Sequence, residues 1–342
     1  MKRSMTWLAV LACVALGALP EPARGEEPAL RLVPEWELSG PIVLVWPEHL
    51  RGARRLNAPF TAFIRTLPED VEVAVISPRP PGMRALQELG RDVRYLPLER
   101  VRDVYVRDWA GLPAADPEGR LSSAKFRYRP AHVEGRDVAE AHDGNLVAKK
   151  LAERLYGAVT EIPLTMSGSA ITHNGRGVAL ISQRVIHENE HLSLQEIRDI
   201  LKAHAGLAQV VFVPVKPGDA KGHVSGLVRF ASERTVLIAQ YPDTQPERFA
   251  FSERLAAQLR RELGDAFHVV PVPLAENGGS YLDYISLDGR LWLPLYGVPE
   301  DQDALSTIAR ALPDLEIDDI DARPYGELIE QGYAPWRLHV VH

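Results

Sequence analysis

Apolar and polar positions change over in short blocks along this chain. Pro41-Ile42-Val43-Leu44-Val45-Trp46 is a continuous apolar run between a glycine and a proline, which suits a strand buried on both faces. Val71 to Ile76 alternates and stops at Ser77-Pro78, while Val93 to Leu96 and Val178 to Ser182 read as further strands. Val147, Leu151 and Leu155 fall four apart, which predicts a helix. Ser193-Leu194-Gln195-Glu196 is a capping box, in which the serine hydroxyl accepts the N3 amide hydrogen and the glutamate reaches back to the serine amide. Leu194, Ile197, Ile200 and Leu201 then form an apolar stripe.

The rhythm continues to the C-terminus. Strands are expected over 210–213, 226–230, 236–239, 268–272, 281–287, 291–293 and 336–341, and helices around Leu255, Leu259 and Leu263 and over 303–312. Two or three short strands per helix, with no interdomain linker, make a repeating α+β unit rather than the doubly wound βαβ kind.

The first residues read differently. Lys2 and Arg3 precede an apolar core from Trp7 to Leu19, which Pro20, Pro22 and Gly25 break, and Ala23-Arg24-Gly25 places small residues where a signal peptidase reads. Residues 1–25 are expected to be a secretory signal peptide and residues 26–342 a single domain, exported to a periplasmic or extracellular compartment. The only cysteine, Cys13, lies inside this segment. Val10-Leu11-Ala12-Cys13 loosely resembles a lipoprotein cleavage box, but the apolar core runs on past it. The mature chain would then hold no cysteine and rely on its core rather than on disulfides. No later apolar run approaches the roughly 20 residues of a membrane span, so no membrane association is expected after cleavage.

Composition narrows the classes further. The 342 residues are 46% hydrophobic and 25% charged, which excludes wholesale disorder. A net charge of −7 argues against non-specific nucleic-acid binding and against a polybasic membrane anchor.

His187-Glu188-Asn189-Glu190-His191 matches the zinc-protease pattern H-E-x-x-H, whose chemistry needs both histidines on one helical face. The capping box at Ser193 starts a helix just after it, which puts the motif in a solvated polar loop, Asn189 included. Zinc hydrolysis through His187 and His191 is therefore the least favoured function.

Four other segments form an ordered set: Val104-Tyr105-Val106-Arg107-Asp108-Trp109-Ala110-Gly111, Ser167-Gly168-Ser169-Ala170-Ile171, Gly222-His223-Val224-Ser225-Gly226-Leu227-Val228-Arg229-Phe230, and Gly279-Ser280-Tyr281-Leu282-Asp283-Tyr284. Pro294-Leu295-Tyr296-Gly297 and Leu338-His339-Val340-Val341 follow. Singly each is weak. In order and spacing they resemble the agmatine deiminase and bacterial peptidyl-arginine deiminase family, with its W-x-R-D-x-G-P, E-G-G-N, G-H-x-D-x-x-x-R-F, S-Y-x-N-F and C-terminal H-C-I-T motifs. The resemblance covers roughly residues 33–342. It implies an α/β pentein fold, a five-bladed propeller of ββαβ-type units around a central guanidine pocket, and it implies no cofactor or metal.

The resemblance also implies a chemistry. A cysteine thiolate attacks the guanidinium carbon, a histidine shuttles the proton, ammonia leaves, and carboxylates grip the guanidinium nitrogens. Asp108 matches the first carboxylate and His223 the histidine. The departures are Ser225 for the second carboxylate, Ser167 for the acidic residue of E-G-G-N, Ala170 for its asparagine, and Val340 for the nucleophilic cysteine. Asp283 stands where the family has asparagine, and Arg107, Asp108, Ser167 and Asp283 are the candidate substrate-binding residues. Asp108 after Arg107 also reads as a structural ion pair, and His223 after Gly222 as a core histidine. His339 and His342, near the C-terminus, could cluster with His223, where a metal site is conceivable although sequence shows no ligand geometry. Three functions stay open: an inactive pentein binding an arginine-like or polyamine-like molecule, an arginyl peptide or another partner; a cysteine-free enzyme using His223 and Asp108; and the zinc hydrolase.

Overall fold

The computed structural model describes residues 30–50, 54–79, 89–129, 138–219, 221–331, 333–338 and 340–341. The expected signal peptide lies outside them, as do His339 and His342.

From the N-terminus, β1 (Arg31–Leu32) leads to β2 (Ile42–Val45), every residue of which is buried. Helix α1 (Asn57–Thr66) then carries the chain to β3 (Val73–Ser77), parallel to β2, and β4 (Arg94–Pro97) lies parallel to β3. A parallel pair needs such a crossover because the chain must return to the starting edge.

The next four units share one plan. A short turn at α2 (Val106–Trp109) precedes β5 (Leu112–Ala115), which pairs antiparallel with β6 (Leu121–Arg127); α3 (Val138–Tyr156) crosses to β7 (Val159–Thr165), parallel to β6. The second pairs β8 (Ile171–His173) with β9 (Val178–Ser182), then crosses through α4 (Arg184–Glu188) and α5 (Leu194–Ala205) to β10 (Gln209–Val213). The third runs β11 (Val228–Phe230), β12 (Thr235–Gln240), α6 (Pro246–Leu263) and β13 (His268–Pro273). The fourth runs β14 (Ile285–Leu287), β15 (Arg290–Leu295), α7 (Glu300–Ala311) and β16 (Glu316–Asp321). Its hairpin turns at Asp288-Gly289, both at positive φ (49° and 73°), the twist a two-residue hairpin demands.

The fifth unit joins the two ends of the chain. After α8 (Gly326–Glu330) and α9 (Pro335–Leu338), β17 (Val340–Val341) pairs antiparallel with β2, Val340 opposite Val43. The sheet β17-β2-β3-β4 thus repeats the plan, an antiparallel pair followed by a parallel crossover. This is the five-bladed pentein propeller.

The core fills the space between strands and helices. Phe60, Phe63 and Ile64 of α1, Val147 and Leu151 of α3, Leu255 and Leu259 of α6, and Ala304 and Ile308 of α7 are all buried. The capping box forms as read: Ser193 Oγ accepts from the Glu196 amide at 3.2 Å, the Ser193 amide donates to Glu196 Oε2 at 2.7 Å, and Gly206 ends α5 at φ 65°.

Several expectations need correction. Leu194 is exposed, since it sits at the first residue of α5 ahead of the buried face of Ile197, Leu201 and Ala205. The stretch 281–287 is a strand only from Ile285; Ser280 caps a 3-10 turn over Tyr281–Asp283 instead. Likewise Pro335–Leu338 is helical, with proline at its first position, and the strand begins at Val340.

Candidate functional site

The candidate residues occupy one recurring place: the turn just before the first strand of each hairpin. Asp108 lies in α2 before β5, and Gly168–Ala170 forms a 3-10 turn before β8. His223 and Ser225 precede β11, Asp283 ends the turn before β14, and Val340 begins β17. Residues up to 117 positions apart, from Asp108 to Ser225, therefore come together at one cavity because each blade presents the same turn there.

Adjacent turns are stitched to each other. Val224 N donates to Ser169 O at 2.8 Å, and Ser280 Oγ donates to Gly226 O at 2.9 Å. Gly168 approaches its neighbour so closely that a Cβ there would lie 2.2 Å from Arg107 O. Gly226 has φ 72°, and a Cβ on it would sit 3.2 Å from Asp283 Oδ2.

Asp108 is the electrostatic centre. Ser169 Oγ donates a short hydrogen bond to Asp108 Oδ1, and His223 Nε2 lies 3.5 Å from Asp108 Oδ2. Burial works against the charge on Asp108, but His223, Ser169 and Lys221 outweigh it and hold the carboxyl down at about 2. For His223, burial favours the neutral ring, yet Asp108 first and Asp219 next raise its pKa above 6.5. The His223 amide also donates to Asp219 Oδ2 at 3.0 Å, which fixes the loop under the ring.

Two cavities meet here. The larger, of about 470 Å³, is lined by Tyr105, Asp108, Lys221, His223 and Ser225 among others. The smaller, of about 100 Å³, holds Glu35, Arg229, Asp283 and Tyr284 at its wall; Arg107 and Ser225 line both. Ser167 faces a third, narrow cleft with Asp108, Arg184, Glu188 and His223, and its hydroxyl accepts from Ser169 N at 3.2 Å. Asp108, His223 and Ser225 thus share one cavity, while Asp283 and Ser167 reach it through neighbouring spaces. The backbone of Val340 belongs to β17; its side chain lies outside the described residues.

Arg107 lines both cavities and is held there by an ion pair. Its guanidinium donates to Glu35 Oε1 at 2.8 Å, while Glu35 Oε2 accepts from Arg229. Arg229 also donates to Leu282 O at 2.8 Å and Tyr284 O at 2.6 Å and lies 3.7 Å over the Tyr284 ring. This clamp ties the N-terminal segment to three blades.

The H-E-x-x-H segment straddles the end of α4. His187 and Glu188 end α4, and His187 and His191 are both exposed. Glu188 Oε1 accepts from Arg184 Nε at 2.8 Å, and burial pushes its carboxyl up, partly offset by Arg184. Asn189, expected in solvent, is buried: its Nδ2 donates to Thr165 O at 2.8 Å and Val185 O at 2.7 Å, and its Oδ1 accepts from Thr165 N at 2.9 Å. The described residues contain no group of three His, Cys, Asp or Glu side chains arranged to hold a metal ion. Nor is any described helix long and apolar enough to cross a membrane.

Sequence reasoning missed Tyr105, Lys221 and Glu35 as members of the site. The first two stand inside or beside quoted motifs, but nothing in their spacing marks them as lining a cavity.

Residues 31–332 match the family described as Porphyromonas-type peptidyl-arginine deiminase. A cysteine-to-serine variant of C. jejuni agmatine deiminase with substrate bound superposes with a TM-score of 0.77 at 20% identity, over 92% of this chain and 96% of that one. The agmatine deiminase of Enterococcus faecalis gives a TM-score of 0.77 at 15% identity, over 92% and 96%. A Streptomyces coelicolor agmatine deiminase homologue is 24% identical over 323 residues, 86% of this chain and 94% of the relative.

Proposed function

Because the chain belongs to the Porphyromonas-type peptidyl-arginine deiminase family, we propose that it is an exported, non-hydrolysing member whose axial pocket binds a small guanidino or polyamine ligand. The observation that carries this reading is the pairing of a retained Asp108–His223 couple with a sequence whose one cysteine is Cys13. Covalent deimination needs a nucleophile that is ionised near neutral pH, and valine at 340 offers no attacking atom.

The binding half of the site is depleted but not abolished. A carboxylate has about four acceptor positions. Ser169 and His223 face one oxygen each on Asp108, which leaves acceptor capacity for N–H donors of a ligand. Ser225 accepts through a neutral hydroxyl where the family clamps with a carboxylate, so affinity for a guanidinium falls. With the nucleophile replaced, His223 has no thiolate to generate, and its pairing with Asp108 orders the pocket wall.

The test combines binding and turnover on the natural protein. Titration with agmatine, arginyl peptides and spermidine should raise its thermal midpoint, because a ligand of the native state stabilises it by RT ln(1 + [L]/Kd). Ammonia release should stay at background. Release at a rate typical of enzymes would establish a cysteine-free mechanism through His223 and Asp108 and overturn the reading; no binding of any of these compounds would overturn its ligand class.

A further inference from the structure

Lys221 immediately precedes the Gly222-His223 pair and stands at the wall of the 470 Å³ cavity. Its ammonium lies 4.0 Å from the centre of the Tyr105 ring, a close cation–π distance. Tyr105 also stacks on Tyr333 at 5.5 Å between centroids and 29° between planes, and Arg55 lies 5.7 Å over Tyr333. The aromatic pair is thus flanked by two of the chain's own cations. The positive charge of Lys221 acts in addition on Asp108 and on His223.

An aromatic face beside a carboxylate is the chemistry that recognises a guanidinium or a protonated amine. Here Lys221 lies over the aromatic face, and its charge acts on the carboxylate. Its backbone is anchored, since its amide donates to Asp219 Oδ1 at 2.8 Å, whereas its flexible four-carbon side chain is only half-buried. We propose that Lys221 is a tethered cation occupying the cationic subsite between Tyr105 and Asp108, which a guanidinium or ammonium ligand must displace to bind. Lys221 thereby sets the affinity and cation selectivity of the pocket. This rests on reading the cavity as a guanidino or polyamine pocket.

The experiment measures agmatine and spermidine affinity by calorimetry for the natural protein and for Lys221→Met, Lys221→Gln, Lys221→Arg and Lys202→Met. Removing the tethered charge should tighten agmatine binding roughly tenfold, the scale of a partly desolvated cation–π contact. Lys221→Gln should behave like Lys221→Met and guards against a folding defect peculiar to one variant. Lys221→Arg keeps the charge and should bind as the natural protein does. Lys202→Met, an exposed lysine of α5, should leave affinity unchanged. Equal affinity in the natural protein and both neutral Lys221 variants would overturn the inference while leaving the functional reading intact. Equal tightening by Lys202→Met would reduce the effect to general charge and overturn it also. Failure of every protein to bind either compound would defeat the functional reading, and the inference with it.

Discussion

Ser169 donates its hydroxyl to Asp108 across the junction of two blades, joining the turn before β8 to the turn before β5. The two residues are 61 positions apart, and the contact is buried. On its other oxygen Asp108 faces His223 from a third blade, so one carboxylate ties together three of the five units.

That arrangement makes stability depend on pH in a defined window. Asp108 titrates at about 2 in the folded protein, below its ordinary 3.8, so its contribution is present above 3.8 and is lost as pH falls toward 2. His223 is raised above 6.5, so its contribution is complete below 6.5 and is lost as pH rises through its elevated folded value. Asp108→Asn should cost about 2 kcal/mol near pH 6 and less at pH 9. Denaturant unfolding of both proteins at the two pH values checks this; a cost that does not shrink at pH 9 would show that His223 is not the partner that matters.

Gly168→Ala should damage the site without touching any polar group. The new methyl would lie 2.2 Å from Arg107 O, a backbone atom that cannot rotate away. Moving the turn apart would separate Ser169 from Asp108, and the strain should cost about 2–3 kcal/mol. Equilibrium unfolding at pH 6 measures it, and a change below about 0.5 kcal/mol would mean that the turn relaxes freely.

Asn189→Leu should destabilise the second blade by about 3 kcal/mol, because it strands the amide and carbonyl of Thr165 and the carbonyl of Val185. Zinc should neither bind nor rescue the variant. Urea unfolding with and without the metal reads both outcomes; stabilisation by stoichiometric zinc would revive a metal role for His187 and His191.

Restoring chemistry should take two substitutions. Val340→Cys returns a thiol but not the second clamp carboxylate, so it should yield at most traces of ammonia from agmatine. Val340→Cys with Ser225→Asp adds a charge-assisted grip worth about 1.5–3 kcal/mol, which corresponds to roughly a 10- to 100-fold gain. Ammonia release from agmatine by both variants is the readout, and equal rates would argue against Ser225 as the lost clamp position.

Parts of the fold were hidden from the sequence for physical reasons. β6 reads Leu-Ser-Ser-Ala-Lys-Phe-Arg, yet Ser122, Ser123 and Lys125 are buried. Lys125 is tolerated there because its ammonium donates to Asn145 Oδ1 at 2.8 Å, a partner on α3 twenty residues away. β16 reads Glu-Ile-Asp-Asp-Ile-Asp and is a strand because it lies parallel to β15, where Arg290 pairs with Asp318 at 3.0 Å. Intrinsic preference would have placed neither segment in a sheet.

The strongly periodic elements, the capping box, the order of the motifs and the lack of a cysteine after Cys13 were properties of the sequence alone, since each depends on residue identity or on neighbours within a few positions. Tertiary structure decided the rest. It set Val340 opposite Val43, brought Ser169 and His223 to Asp108, turned Arg107 toward Glu35, and laid Lys221 over Tyr105. Each of these contacts joins residues tens or hundreds of positions apart, and local patterning carries no information about which distant partner a side chain meets once five blades close into a ring.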